Sequence, residues 1–382
     1  MIYFDNSATT KVTQEVLKTY QTVSEKIWGN PSSLHNLGET AFHLLEQARS
    51  QVAALLEKKP SEIYFTSGGT ESDNWAIKGT AIEKHIYGKH LITTNVEHPA
   101  VINTMKQLEK LGFEVTYLPV DETGRINCDD LKKAIRKDTI LVSIMAVNNE
   151  VGAVQPLNEV SEILKQYPRI HFHVDAVQAV GKGLREMLLN DRIDMLSLSG
   201  HKFHAPRGIG IMYKKKGRMV APLLTGGGQE KNLRSGTENL PAIAGMSKAL
   251  RLVIENEAEH VKKQQAIKEK IYDHLAQFEK VTIFSNRKEH FAPHILCFAI
   301  QGVRGETVVH AFESYDIYIS TTSACSSKKG TVSSTLHAMG VADKLAQCAV
   351  RVSLDENNTL DQADEFNRIF DILYDKFKMI NS

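Results

Sequence analysis

The chain has 382 residues, 42% of them apolar and 24% charged, the make-up of a folded protein with a large core and more than one mean domain length. Its net charge of +1 argues against nucleic acid as a direct partner. No stretch reaches the roughly 18 apolar residues of a membrane span, and the opening MIYFDNSATT has no basic region followed by an apolar one, so neither a membrane contact nor a secretory leader is expected.

Short apolar runs alternate with longer amphipathic ones along the chain. Helical spacing of Ala41, Leu44, Leu45, Ala48, Val52 and Leu55 predicts a helix over 40–57. Strands follow at 62–66, His90–Thr94 and Glu114–Leu118, with a helix at 99–110 opened by Pro99. Further strands are expected at 140–145, His171–Asp175, Met195–Ser199 and 209–213, and another helix at 157–167. This alternation predicts an α/β fold with a mainly parallel central sheet between helical layers. A charged helical stretch over 242–278 reads as a connector. It leads to a smaller α+β segment with strands at 281–285, Ile295–Ile300 and Ala349–Ser353.

The four cysteines, Cys128, Cys297, Cys325 and Cys348, form no C-x-x-C pair. Zinc-ribbon and thioredoxin-like chemistry therefore has no support, and sparse unpaired thiols suit a reducing compartment, by default the cytoplasm. Cys297 lies in the apolar run HILCFAI and reads as core. Cys325 lies among Ser, Gly and Lys in a loop over about 320–334, where neighbouring lysines favour thiolate. The lysine clusters at Lys214, Lys215 and Lys216 and at Lys328 and Lys329 are short enough to be solvated turns.

Three further motifs carry chemistry. Ser67-Gly68-Gly69-Thr70-Glu71-Ser72 follows a strand, and glycines at a strand-to-helix turn bring backbone N–H groups close to an anion. The segment ends in neither the Gly-Lys-Thr/Ser of a P-loop nor G-x-G-x-x-G, and by itself it is equally a Gly/Ser-rich connection. Asp175 stands at the carboxyl end of its strand, where open α/β sheets bind ligands. It either holds a protonated ring nitrogen or caps the next helix. His171 and His173 share one face of that strand without acidic or thiol companions, which fits core or surface histidines better than a metal pair. In Ser199-Gly200-His201-Lys202, a lysine after small residues at a strand end could be desolvated and nucleophilic.

Order and spacing add what single motifs lack. The segments FDNSATT at 4–10, GNPSSLH at 29–35, SGGTES at 67–72, EHPA at 97–100 and NNEVGAVQP at 148–156 follow one another in the order found in the NifS/IscS-type cysteine desulfurases. So do HVDAVQ at 173–178, SGHKFHAPRGIG at 199–210, GGGQE at 226–230, RSGTEN at 234–239, SAC at 323–325 and RVSL at 351–354. The chain resembles that family, part of the class V aminotransferases of fold-type I, nearly end to end.

The resemblance implies a pyridoxal 5'-phosphate enzyme that takes sulfur from L-cysteine, leaving L-alanine and a persulfide on Cys325. Lys202 corresponds to the Schiff-base lysine, Asp175 to the partner of the pyridinium nitrogen, Gln178 to the donor to the ring hydroxyl and His98 to the residue stacked on the ring. His98 or Lys202 would move protons. Gly69, Thr70, Ser199 and His201 correspond to the phosphate site, and Thr237 to a residue supplied by the neighbouring subunit of a homodimer. Arg351 would clamp the substrate carboxylate, and Asn149 would touch cofactor or substrate. No intrinsic metal is implied, although Cys325 could transiently share an iron–sulfur ligand with a scaffold. Expected acceptors are an iron–sulfur scaffold or a tRNA-thiolation enzyme.

Residues 1–20 would form an arm on the small domain, 21–250 the large domain and 251–382 the small domain. Thr321 and Thr322 depart from the Ser-Gly usual in the family, and the long segment after Cys325 is unlike the short SufS form. A selenocysteine lyase or another class V enzyme is the alternative reading.

Overall fold

The computed structural model describes residues 1–287, 290–322 and 333–380. A seven-stranded sheet runs in the order Ile63–Thr66, Gly210–Lys214, Met195–Ser199, His171–Asp175, Thr139–Met145, His90–Thr94, Glu114–Leu118. Every pairing among the last five is parallel, whereas Gly210–Lys214 is antiparallel to both neighbours. The sheet is thus mixed and mostly parallel, as the β-α alternation predicts. The reversed strand follows Met195–Ser199 after only ten residues, too short a connection for the crossover that a parallel strand requires.

The strands Thr139–Met145, His171–Asp175 and Met195–Ser199 are buried throughout. Helices therefore cover both faces. Helix Asn36–Leu55 presents Ala41, Leu45, Ala48 and Val52 to the core. It begins before the expected residue 40 because the His35 ring accepts the Gly38 N–H at 3.2 Å and caps it. The helix over Pro99–Glu109 has proline in its first turn and His98 as its cap.

The predicted connector over 242–278 is two helices, Leu240–Glu255 and Glu257–Leu275. The break is at Asn256, whose backbone leaves the helical region (φ −115°, ψ 15°). Beyond it, an antiparallel sheet in the order Ser320–Thr321, Ala349–Ser353, Ile295–Ile300, Val281–Ile283 builds a second core. Helix Leu360–Ile380, which periodicity did not single out, closes that core with Phe366 and Phe370. Phe312 stacks on Phe366 at 4.7 Å.

The N-terminal segment divides between the two cores. Ile2–Tyr3 pairs parallel with Ile317–Tyr318, and Phe4 is buried against Phe366. Helix Gln14–Lys26 instead packs on Leu240–Glu255, and its Val16 and Val23 join the central core. Residues 5–11 bridge the two.

One buried ion pair holds the GGGQE segment to the sheet. Arg49 and Glu230 meet through two hydrogen bonds of 2.8 Å, with side chains 3% and 1% exposed. The Phe65 N–H also donates to Glu230 at 3.0 Å. Without Glu230 the buried guanidinium keeps only Glu46, 2.8 Å from its Nε, and the Ile63 carbonyl. Glu230→Ala should therefore lower the unfolding free energy by about 3 kcal/mol, measured by urea titration.

Candidate functional site

A cavity of about 780 Å³ opens at the carboxyl ends of the parallel strands, where open α/β sheets place ligands. Strand and helix ends bring Gly69, Thr70, His98, Asn149, Asp175, Gln178, Ser199, His201, Lys202 and Arg351 to its wall, although they lie up to 282 positions apart in the chain. Thr237 is exposed and outside that lining. Cys325 lies outside the described residues.

The floor is acidic and buried. Asp175 ends its strand with Oδ1 accepting the Val177 N–H at 2.9 Å. Asp73, on helix Gly69–Lys84, and Glu97, just before His98, are buried nearby; neither stood out in the sequence. Glu97 Oε1 accepts from Thr94 Oγ1 at 2.8 Å and Met145 N–H at 2.9 Å, and its Oε2 has no partner among the described residues. Burial lifts the Glu97 carboxyl to about 8. It also lifts Asp73 well above the usual carboxylate range, with the Asp175 charge adding to the effect. Asp175 is raised by burial too, but His98 and Lys202 oppose the shift. A cation in the cavity has Asp175 as its natural counter-charge, since ionising all three carboxyls so close together is costly.

Behind this floor, His173 bridges Ser143 Oγ and Ser197 Oγ, each at 2.8 Å, and burial holds it neutral with a pKa of about 3. His171 bonds Thr80 Oγ1 at 3.1 Å. Both histidines are core residues: His173 links three adjacent strands, and His171 ties its strand to helix Gly69–Lys84.

Anion-binding groups gather at the opposite side. Helix Gly69–Lys84 begins here, so its first-turn N–H groups lack helical acceptors. Gly68 has φ 152°, and a Cβ on Gly210 would lie 2.6 Å from the Gly68 Cα. A Cβ on Gly69 would meet Val177 Cγ2 at 2.7 Å and Ser199 Cβ at 3.4 Å. Only glycine leaves this cradle open. Glu71 fixes its rim by pairing with Arg234 at 2.8 and 3.0 Å and accepting the Ser67 N–H at 2.8 Å. That pair also holds the RSGTEN segment beside the cradle.

The walls carry the candidate proton carriers. His98 Nδ1 accepts the Ala100 N–H at 3.1 Å, leaving Nε2 to hold the ring proton. Burial lowers its pKa, with Asp175 pulling the other way. Lys202 closes a short helical turn over Gly200–Lys202 and donates to the carbonyls of Ser7 at 2.5 Å and Ala8 at 3.0 Å. Gln178 donates to the same Ser7 carbonyl at 3.0 Å. Burial, then Lys202 and Arg207, hold His201 down at about 4, so it is neutral, and its Nδ1 lies 3.1 Å from Thr9 Oγ1.

Arg351 enters from the small sheet. Its guanidinium donates to Asn149 O at 2.7 Å and Asp5 Oδ1 at 2.8 Å, while the buried Nε has no partner among the described residues. Arg351 lines the cavity, and its two terminal nitrogens keep further N–H donors that fit a ligand carboxylate. No cluster of His, Cys, Asp or Glu that could hold a metal occurs among the described residues.

Glu97 makes the site pH-sensitive. Its folded pKa of about 8 lies above the ordinary 4.5, so between those values the folded state holds a proton that the unfolded state has lost. Stability from this group is present below pH 4.5 and is lost as pH rises towards 8. Glu97→Gln should gain stability relative to the unaltered protein over that window, by at most about 1.4 kcal/mol per pH unit, read from unfolding midpoints at pH 5 to 8.

The aminotransferase class-V family model matches residues 2–366. A NifS/IcsS protein homolog from Lactobacillus delbrueckii subsp. bulgaricus is 61% identical over 381 residues, spanning 100% of this chain and 99% of the relative. Cysteine desulfurase IscS from Methanosarcina thermophila is 43% identical, spanning 95% of this chain and 89% of the relative. A solved NifS-like protein superposes with a TM-score of 0.90 at 40% identity, covering 98% of this chain and 99% of that one. The site also fits pyridoxal phosphate, this family's cofactor. A glycine cradle at a helix start suits its phosphate, a buried carboxylate its ring nitrogen and an adjacent lysine its aldehyde. The chain belongs to the aminotransferase class-V family and, within it, stands with the homologues of the NifS/IscS cysteine desulfurases.

Proposed function

We propose that the protein is a pyridoxal-phosphate-dependent cysteine desulfurase that converts L-cysteine to L-alanine and keeps the sulfur as a persulfide on Cys325. The observation that carries this reading is the convergence of Lys202, Asp175, His98 and Arg351 on one cavity. It is supported by relatives named cysteine desulfurase and by a structural neighbour, SspA in complex with cysteine, 34% identical with a TM-score of 0.80.

When bound, pyridoxal phosphate supplies an electron sink that loosens the substrate's Cα–H and Cβ–S bonds. Lys202 is the residue that would carry it. Asp175 would keep the ring-nitrogen proton in place, Gln178 would hydrogen-bond the ring hydroxyl, and His98 would face the ring. Gly69, Thr70, Ser199 and His201 would hold the phosphate, with Thr237 added from a second copy in a homodimer.

Arg351 binds the substrate carboxylate through the terminal N–H groups that its bonds to Asn149 and Asp5 leave over, and Asn149 lines the same cavity. Lys202 takes the Cα proton. The substrate sulfur gives up its proton and bonds to the Cys325 thiolate as the Cβ–S bond breaks, and Lys202 and His98 return one proton to Cβ and one to Cα, which completes alanine.

Cys325 follows the short strand Ser320–Thr321, which pairs with the strand bearing Arg351, so its loop begins beside the carboxylate clamp. The persulfide then passes to a sulfur acceptor, an iron–sulfur scaffold or a tRNA-thiolation enzyme, in the cytoplasm. No helix of the described residues is long and apolar enough to cross a membrane. In this reading the cofactor-binding domain runs to about residue 250 and takes in helix Gln14–Lys26, a correction to an arm over 1–20, and residues 251–382, joined by Ile2–Phe4, form the domain that presents the thiol.

Incubation with L-cysteine should give alanine and added sulfur on the Cys325 peptide by mass spectrometry. Cys325→Ser should keep the cofactor's visible absorption and lose turnover. Lys202→Ala should lose the band of the lysine-bound cofactor. No alanine from a protein that retains its absorption would sink the assignment in favour of a sister reaction.

A further inference from the structure

Two residues beyond Lys202 the chain passes through His204 in the left-handed region, φ 66°. Residues other than glycine adopt that conformation where their surroundings fix them. Here the fixing groups are identifiable. The His204 N–H donates to Thr10 Oγ1 at 2.8 Å, and Thr10 donates to His201 O through both its hydroxyl and its N–H, each at 2.9 Å. The His204 ring is buried, with Nδ1 2.8 Å from Lys11 O and Nε2 2.9 Å from Glu356 Oε1.

These partners determine the ring's charge. A carbonyl oxygen only accepts, so Nδ1 carries a hydrogen. Glu356 is ionised: burial would raise its pKa, but the hydrogen bond and charge of His204, then Lys182, hold it at about 2. Nε2 therefore carries a hydrogen as well, and the ring is an imidazolium. The other charges facing it are Asp355, at 3.9 Å from Nε2, and Lys182, whose burial lowers its own pKa. Lys263 donates to the Glu356 carbonyl at 2.8 Å. Lys202 and Arg207 flank it on its own turn.

The contacts span three parts of the chain: the lysine turn, the arm and the segment just past Arg351. The arm carbonyls that receive Lys202 Nζ belong to Ser7 and Ala8, three and four residues before Lys11. Holding Lys11 therefore places the acceptors that orient the lysine. Holding Glu356 ties the turn to the strand that bears the carboxylate clamp.

We propose that His204 is a positioning residue for Lys202, a buried imidazolium clasp that fixes the lysine turn to the arm through Lys11 and to the small sheet through Glu356. The inference rests on reading Lys202 as the cofactor-bearing lysine and goes one step beyond it. Burial alone would lower the His204 pKa; the Glu356 hydrogen bond and charge, then Asp355, outweigh it and raise it. Stability from the clasp is therefore full below the ordinary histidine value of 6.5 and is lost as pH rises through the raised one. At the acid end the Glu356 contribution is full above 4.5 and is lost as pH falls towards about 2.

The test uses holoenzyme of the unaltered protein, Glu356→Gln, His204→Asn and the double variant. Asparagine tolerates the left-handed backbone, and glutamine keeps the shape of Glu356. Melting midpoints from pH 6 to 9 should be several degrees lower in either single variant at pH 6. That gap should close towards pH 9, and the double variant should be no worse than the singles. The Kd for pyridoxal phosphate, read from the visible band on dilution, should rise about three- to tenfold in each. Alanine formation should fall in kcat rather than rise in KM.

Gaps independent of pH, or additive in the double variant, would overturn the clasp. An unchanged Kd beside the expected melting pattern would overturn the positioning role. If His204→Asn does not fold, Glu356→Gln alone decides through the same two readings. If the unaltered protein makes no alanine while the melting pattern and Kd hold, the desulfurase assignment fails and the clasp stands.

Discussion

A carboxylate buried at the end of a parallel strand is the constraint on which the rest of this site depends. Asp175 is 5% exposed and shares its surroundings with two further buried acids, Asp73 and Glu97. An ionised carboxyl loses most of its hydration there and persists only where cations and hydrogen bonds replace it. His98, Lys202 and the Val177 N–H do so from three elements. Asp73 and Glu97 accept hydrogen bonds but face no cation, and burial drives both towards their neutral forms. The floor can thus keep its charge on Asp175, where a protonated ring nitrogen can use it.

The polar groups that face this floor are positioned by backbone as much as by side chains. The Ser7 carbonyl receives both Lys202 and Gln178. The arm that supplies it is anchored on the small sheet by Asn6, which donates to Ser353 O at 3.1 Å and Asn358 Oδ1 at 3.3 Å. Arg351 on the same sheet reaches back to Asn149 and Asp5. The cavity is therefore closed by three segments that no single element rigidly links. Their relative placement depends on a few charge-assisted hydrogen bonds, the kind whose loss costs more than its net contribution suggests because a buried partner is left unpaired. Small movements at such contacts translate into misplacement of the reacting groups, to which catalysis is sensitive.

Much of this was legible in the residues themselves. Short apolar runs located the central strands and period-3.6 patterning the helix carrying Ala41, Leu45, Ala48 and Val52, because a two-sided sheet demands apolar strands and covering helices. Pro99 beside His98 announced a capped helix. The glycines of SGGTES and the strand-ending Asp175 and Lys202 signalled an anion cradle and a reactive wall, and motif order supplied the family. The missed features share a cause. Asp73 follows SGGTES as one more polar residue and Glu97 enters only through the EHPA match, and nothing in either residue type signals its burial. The break at Asn256 has no proline or glycine to mark it.

The sequence by itself determined which groups are present, their order and the local elements that carry them, because propensity, capping and patterning act over a few residues. Tertiary structure alone decided which groups meet. It turned Gly210–Lys214 against its neighbours, set the Ser7 and Ala8 carbonyls before Lys202, buried Asp73 and Glu97 beside Asp175, and paired His204 with Glu356, 152 residues away. Backbone acceptors leave no trace in residue identity. The charge state of a buried acid or histidine depends on neighbours that only the folded chain brings within hydrogen-bonding distance.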